Sequence, residues 1–114
     1  MDIYGIPNCS TVKKARTWLD QHNIVYQFHD FKKTGVTTEQ LSTWAQHTGW
    51  EKLLNRKGMT WRQLSDETKA SITTPAAAFA LMVEKTSVIK RPILIHQGQI
   101  LVGFNEAEYT AALT

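Results

Sequence analysis

The sequence predicts an α/β fold: a four-stranded mixed sheet with helices packed on it and a helical insertion between its two halves. Three observations carry this expectation. The chain opens strand–helix–strand, it closes strand–turn–strand–helix, and the stretch between is patterned for helices alone. A helix joining the first two strands makes them parallel, and a tight turn joining the last two makes them antiparallel, so the sheet is mixed.

Asp2 to Ile6 is short, β-branched and aromatic, and Pro7-Asn8 breaks it. A helix is expected from about Ser10 to His22, with Val12, Ala15, Trp18 and Leu19 on its apolar face. Ile24 to His29 is the second strand, with Val25, Tyr26 and Phe28 inside it, and Lys32-Lys33 and Gly35 fall in a turn. Thr37 to Gln40 has the form of a capping box opening a helix whose buried face is Leu41, Trp44 and Ala45, and Gly49 stops it. Trp50 to Leu54 is one further helical turn, followed by the polar loop Asn55 to Gly58. Leu64 to Ile72 reads as a short helix. Thr74-Pro75 opens another through Glu84, with threonine at the cap and proline at the first helical position. Ile93 to His96 and Ile100 to Val102 flank Gln97-Gly98 as a hairpin, and Asn105 caps a final helix with Glu108 at the capping-box position. No linker or repeat interrupts the pattern, so residues 1–114 form one domain with its insertion at about 36–88. The outline is that of a thioredoxin-like fold.

A chain of 114 residues buries roughly two-thirds of its unfolded surface, enough for a core without staples. With 42% apolar and 20% charged residues the composition is globular and not disordered. The longest apolar run, Pro75 to Val83, is too short to span a bilayer, and the opening residues lack the pattern of a signal peptide. A single cysteine cannot form an internal disulfide. The expected location is the cytoplasm, with no membrane partner. The net charge of +3 suits an anionic substrate but comes from scattered cations with no basic stripe, so no nucleic-acid partner is expected.

Cys9 follows a strand and stands at the first turn of a helix, where free N–H groups and the helix dipole favour an anion. A thiol so placed has a lowered pKa, and the thiolate is the nucleophile. Lone cysteines are more often small buried hydrophobes; the strand–turn–cysteine–helix setting reverses that preference here. Lys13, one turn further along, adds positive charge. Arg91-Pro92 directly precedes the Ile93 strand, where a thioredoxin-like fold carries a cis-proline facing the thiol; Arg91 then projects beside Cys9 and is suited to an oxyanion or carboxylate. Arg56-Lys57 reads locally as a solvated loop. His22, His29, His47 and His96 form no close pair, no second cysteine supports them, and no metal site is expected. Trp18 and Trp44 sit at core spacing, and Trp50 and Trp61 flank the insertion; packing explains all four.

Five segments together resemble the arsenate reductase (ArsC) family in its Spx/YffB-type branch. They are Tyr4 to Cys9, Lys13 to Arg16, Leu53 to Arg56, Ile89 to Ile93 and Leu101 to Phe104, and the likeness runs over essentially the full length. The resemblance implies a thioredoxin-like fold with a helical insertion, Cys9 as the catalytic cysteine, and Arg56 and Arg91 as anion-binding arginines, Arg91 just before the cis-proline position of Pro92. Two departures tell against arsenate as the physiological substrate. Gly5 occupies the region of the family's histidine, and Val102-Gly103-Phe104 stands where a third arginine is expected. Redox-sensing regulators of the Spx group often carry Cys-x-x-Cys, and some bind RNA polymerase; here Val12 holds the fourth position, which excludes an internal disulfide switch.

The expected function is a monothiol reductase in which Cys9 attacks an oxidised thiol, a glutathione adduct or an oxyanion, and an external thiol releases the intermediate. Glutathione is the expected reductant, with no bound cofactor. Arg56, Arg91 and Lys13 meet its carboxylates, and Pro92 and Asn8 help position it. The rival expectation is an Spx-like regulatory or protein-binding module without turnover.

Overall fold

The computed structural model describes Met1–Thr114. In chain order the elements are β1 (Asp2–Gly5), α1 (Ser10–Gln21), β2 (Gln27–Asp30), α2 (Phe31–Thr34), α3 (Thr38–Thr48), α4 (Trp50–Leu53), α5 (Met59–Arg62), α6 (Asp66–Ser71), α7 (Pro75–Glu84), a 3₁₀ turn (Thr86–Val88), β3 (Ile93–His96), β4 (Gln99–Val102) and α8 (Glu106–Leu113). The four strands form one sheet in the order β2-β1-β3-β4. β1 runs parallel to β2 and antiparallel to β3, and β3 pairs antiparallel with β4. This is the mixed α/β sheet of the thioredoxin-like expectation.

The chain divides into two compact units, Met1–Thr34 with Arg91–Thr114, and Gly35–Lys90. In the first, the sheet is built on register. Ile3 of β1 faces Leu94 of β3, and both bury fully with Ala15, Trp18 and Leu19 of α1 and Tyr109 of α8. Tyr109 meets Trp18 and Phe104 edge-on, at ring separations of 5.5 and 4.8 Å, the arrangement aromatic quadrupoles prefer. Asn105 accepts from the Glu108 N–H and starts α8 as expected. In the hairpin turn Gln97 and Gly98 both take positive φ, 50° and 79°, which matches the right-handed twist of the strands it joins.

The second strand starts later than its apolar pattern suggests. Asn23 is left-handed (φ 56°), and the Ile24 N–H closes back on the Leu19 carbonyl, so the exit from α1 consumes the residues through Tyr26. Pairing begins only where β1 begins, with Gln27 opposite Asp2. Val25 is therefore outside the strand and 89% exposed, and Tyr26 lies outside it too. The expected turn at Lys32-Lys33 is a full helical turn, α2. Asp30 accepts from the Lys32 N–H through its side chain and from the Thr34 hydroxyl through its carbonyl.

In the helical unit the capping box forms. Thr37 accepts from the Gln40 N–H, and the Gln40 side chain accepts from the Thr37 N–H. Gly49 (φ 82°) ends α3, its N–H bonded to the Ala45 carbonyl. Leu41 and Trp44 are buried on α3 as expected, and α3 packs on α7. The short helix expected over Leu64 to Ile72 is confined to α6, because Ser65 caps it by accepting from the Thr68 N–H. Two elements had no clear pattern in the sequence, the four-residue α5 and the 3₁₀ turn. At such lengths no amphipathic period can develop.

Candidate active site

Cys9 is the N-cap of α1, extended at φ −93° and ψ 128°, and its carbonyl accepts the first helical bond from Lys13. The Cys9 N–H closes the preceding turn onto the Ile6 carbonyl. The side chain is half-buried. Burial pushes its thiol up, but four influences outweigh burial and hold the pKa below the ordinary value: the Val12 N–H, a hydrogen bond from Arg91, the Thr11 N–H and the Arg91 charge. The sulfur makes no regular capping hydrogen bond, so the two N–H groups act as loose donors directed at it. A thiolate in this place gains from the helix terminus and from the guanidinium beside it.

Close packing sets this geometry. Gly5, the last residue of β1, lies under Val12, and a Cβ at residue 5 would sit 2.8 Å from a Val12 methyl carbon. Val12 is fully buried, as is Ala15 one turn on. The absence of a side chain at Gly5 thus lets the first turn of α1 approach the strand. The contributions of the Val12 and Thr11 N–H groups, and of Gly5 beneath them, escaped the sequence. Main-chain donors leave no residue signature, and the one available clue was a glycine ending a strand four residues before the cysteine.

The Arg91–Pro92 peptide is cis. Pro92 is buried, and its carbonyl accepts from the Gly103 N–H at 2.8 Å, which ties the start of β3 to the end of β4. Arg91 acts on the Cys9 sulfur through a hydrogen bond and through its charge. Asn8 is exposed in the turn before Cys9. Lys13 is exposed, and its side chain lines an open groove with Lys14, Thr17, Trp18 and Phe104; the cation acting on the sulfur is Arg91.

Arg56 belongs to the helical unit. It lines a cleft of about 280 Å³ with Glu51, Leu54, Asn55, Lys57 and Lys90. Its guanidinium carbon lies over two indole rings, 5.9 Å from the centroid of Trp50 and 5.7 Å from that of Trp61. The solvated-loop reading of the local sequence misses these rings, because their approach depends on how α4 and α5 fold. No group of three or more His, Cys, Asp or Glu side chains is placed to hold a metal ion, and no helix is long and apolar enough to cross a membrane.

Comparison with known proteins gives this geometry a family. A protein of Haemophilus influenzae is 42% identical over 110 residues, 96% of each chain. The global transcriptional regulator Spx of Streptococcus mutans is 27% identical over 97% of this chain and 81% of its own. Among solved structures, the YFFB protein is 47% identical with a TM-score of 0.94, covering 99% of this chain and 98% of its own. An arsenate reductase from Vibrio cholerae is 25% identical with a TM-score of 0.84, over 99% and 98%. The ArsC family model matches residues 4–112, and with nearly the whole chain matched, this protein belongs to the ArsC family.

Proposed function

We propose that this protein is a glutathione-dependent monothiol reductase whose nucleophile is the Cys9 thiolate. The observation that carries the reading is the convergence of the Val12 and Thr11 N–H groups and the Arg91 guanidinium on a partly accessible sulfur with a lowered pKa. Kinship with arsenate reductases supports thiol-based redox chemistry in general.

In the first step the thiolate attacks one sulfur of an oxidised substrate such as a mixed disulfide with glutathione. The Cys9–glutathione bond forms, the substrate S–S bond breaks, and the substrate leaves as a thiolate that takes a proton from water. Val12 is the third residue after Cys9, so the chain has no resolving thiol there or anywhere else. A glutathione thiolate therefore attacks the mixed disulfide, oxidised glutathione leaves, and the Cys9 thiolate returns. The substrate sulfur leaves as a thiol, and the glutathionyl group taken from it joins one added glutathione as the disulfide. Arg91 stabilises the sulfur anion at both ends of the cycle, and the low pKa makes Cys9 a good leaving group in the second step. Pro92, Asn8 and Lys13 belong to the surface that positions glutathione, and Arg56 and Arg91 are assigned to anionic groups. The cycle needs no bound cofactor.

The test is intact mass of the protein after oxidised glutathione, then after reduced glutathione. A single adduct that forms on wild type, reverses with free thiol and is absent in Cys9→Ser supports the reading. A cysteine that takes no adduct overturns it.

A second reading, a protein-binding regulator, is favoured by the likeness to Spx along nearly the whole chain. Under it Cys9→Ser retains partner binding, while charge reversal at the exposed Lys32 and Lys33 destroys it.

A further inference from the structure

One stripe of α1 leads away from Cys9. Lys13, Lys14, Thr17, Trp18 and Gln21 recur at helical spacing, and with Phe104 and Glu106 they line an open groove of about 350 Å³, within the range of small-molecule sites. All of them belong to the unit of Met1–Thr34 and Arg91–Thr114. The apolar part of the lining is Trp18, 5% exposed and packed in the core with Tyr109, and Phe104, which rests half-buried on the same cluster.

The indole is held on all sides, but its one polar atom is not satisfied. Trp18 Nε1 is buried and donates to no acceptor. An indole N–H is a donor only, and buried donors are nearly always paired, because an unpaired one has given up its bond with water. The ring is not free to turn toward a partner. His22 stacks on it at 3.8 Å with Nδ1 2.8 Å from the Trp18 carbonyl, and Tyr109 meets it edge-on at 5.5 Å. Lys14, Thr17 and Gln21, which line the groove with it, are exposed side chains and yield to an entering group. The lining carries two ammonium groups and one carboxylate, Glu106, so its field favours an anion. A donor without an acceptor, two cations and two aromatic surfaces fit one kind of guest: an oxygen anion joined to an apolar body.

We infer that this groove is a second ligand site, for a small aromatic carboxylate. The ring of the ligand lies against Phe104 and the indole, one carboxylate oxygen accepts from Trp18 Nε1, and Lys13 and Lys14 meet its charge. Lys13 stands at the end nearer Cys9, whereas Thr17, Trp18 and Gln21 take no part in the thiol cycle.

The probe is 3-phenylpropionate, titrated into the full-length protein labelled with nitrogen-15. The readout is the indole N–H signals of the four tryptophans, that of Trp18 assigned in the wild type through its own backbone. A proton that gains an oxygen acceptor moves downfield. The expected result is a saturable downfield shift of the Trp18 signal, with those of Trp44, Trp50 and Trp61 unmoved. Acetate lacks the apolar body and 3-phenylpropionamide lacks the charge, and each is expected to bind about five-fold more weakly or worse. Lys14→Glu, at an exposed position, is expected to weaken 3-phenylpropionate about two- to five-fold. A Trp18 signal that stays in place overturns the site. Acetate or the amide binding as tightly as 3-phenylpropionate overturns the ligand class, and wild-type affinity in Lys14→Glu overturns the role of the lysines.

Discussion

The two compact units of this chain hold their charged groups by different means. In the unit of Met1–Thr34 and Arg91–Thr114, the Cys9 sulfur is served by two main-chain N–H groups at a helix start and by one arginine. In the Gly35–Lys90 unit, the Arg56 guanidinium carbon lies 5.9 and 5.7 Å from the centroids of two indole rings, in a cleft it shares with Lys57 and Lys90. A main-chain device is fixed by the path of the backbone, so exchange of surrounding side chains disturbs it only when the strand–turn–helix moves. A side-chain device loses its function one residue at a time. The first suits a nucleophile whose pKa must stay constant, and the second suits recognition, where modest changes in contact retune affinity.

The comparison breaks most completely at the sulfur itself. Cys9→Ser is expected to remove the glutathione adduct and all turnover while the far-ultraviolet spectrum stays that of the wild type; residual turnover would move the chemistry elsewhere. The same variant exposes a stability linkage. Between the lowered folded-state pKa and the ordinary thiol value the unfolded chain holds more protons than the folded one, so the thiolate's contribution grows as pH rises through that window. It is lost as pH falls through the folded-state pKa. The stability difference between wild type and Cys9→Ser, measured by urea unfolding, therefore increases with pH toward about 8.5 and is flat in acid. A difference that shrinks with rising pH has the wrong sign for a stabilised thiolate.

Arg91→Leu is next in size. It deletes both a hydrogen bond and a charge at the sulfur, so the pKa rises and the thiolate fraction at pH 7 drops. Alkylation at that pH is expected to slow by about three- to ten-fold. Gly5→Ala tests the packing beneath the main-chain donors. The added methyl meets Val12, the overpacking costs about 1–3 kcal/mol in urea unfolding, and the displaced first turn raises the Cys9 pKa with no charge removed. A variant with wild-type stability and reactivity would show that the helix start does not depend on this approach. Tyr109→Phe is the smallest change. Its hydroxyl donates to the Gly103 carbonyl at a long 3.4 Å, so about 1 kcal/mol or less is expected in unfolding and nothing in Cys9 reactivity.

The sheet was legible in the sequence because its strands are bounded by strong signals: Pro7-Asn8 after β1, Gln97-Gly98 in the hairpin, Asn105 before α8. The start of β2 was not, because Ile24, Val25 and Tyr26 have strand propensity but lie beyond the end of their partner β1. Propensity describes a residue, and pairing needs a neighbour. At the site, Cys9 and Arg91 were legible from position and family resemblance, and the structure brings them together. The Val12 and Thr11 N–H groups were invisible because every residue has one, and Gly5 read only as a missing histidine. Trp50 and Trp61 were assigned to packing. Trp61 is indeed buried, and the approach of both rings to the Arg56 guanidinium depends on a loop conformation that no periodicity encodes.

The most direct test of a stabilised Cys9 thiolate is the pH dependence of its alkylation rate in wild type and in Arg91→Leu. A wild-type midpoint below the ordinary thiol value of about 8.5, moving upward in the variant, is the expected result. A wild-type midpoint at or above that value, unmoved by loss of Arg91, would contradict the account.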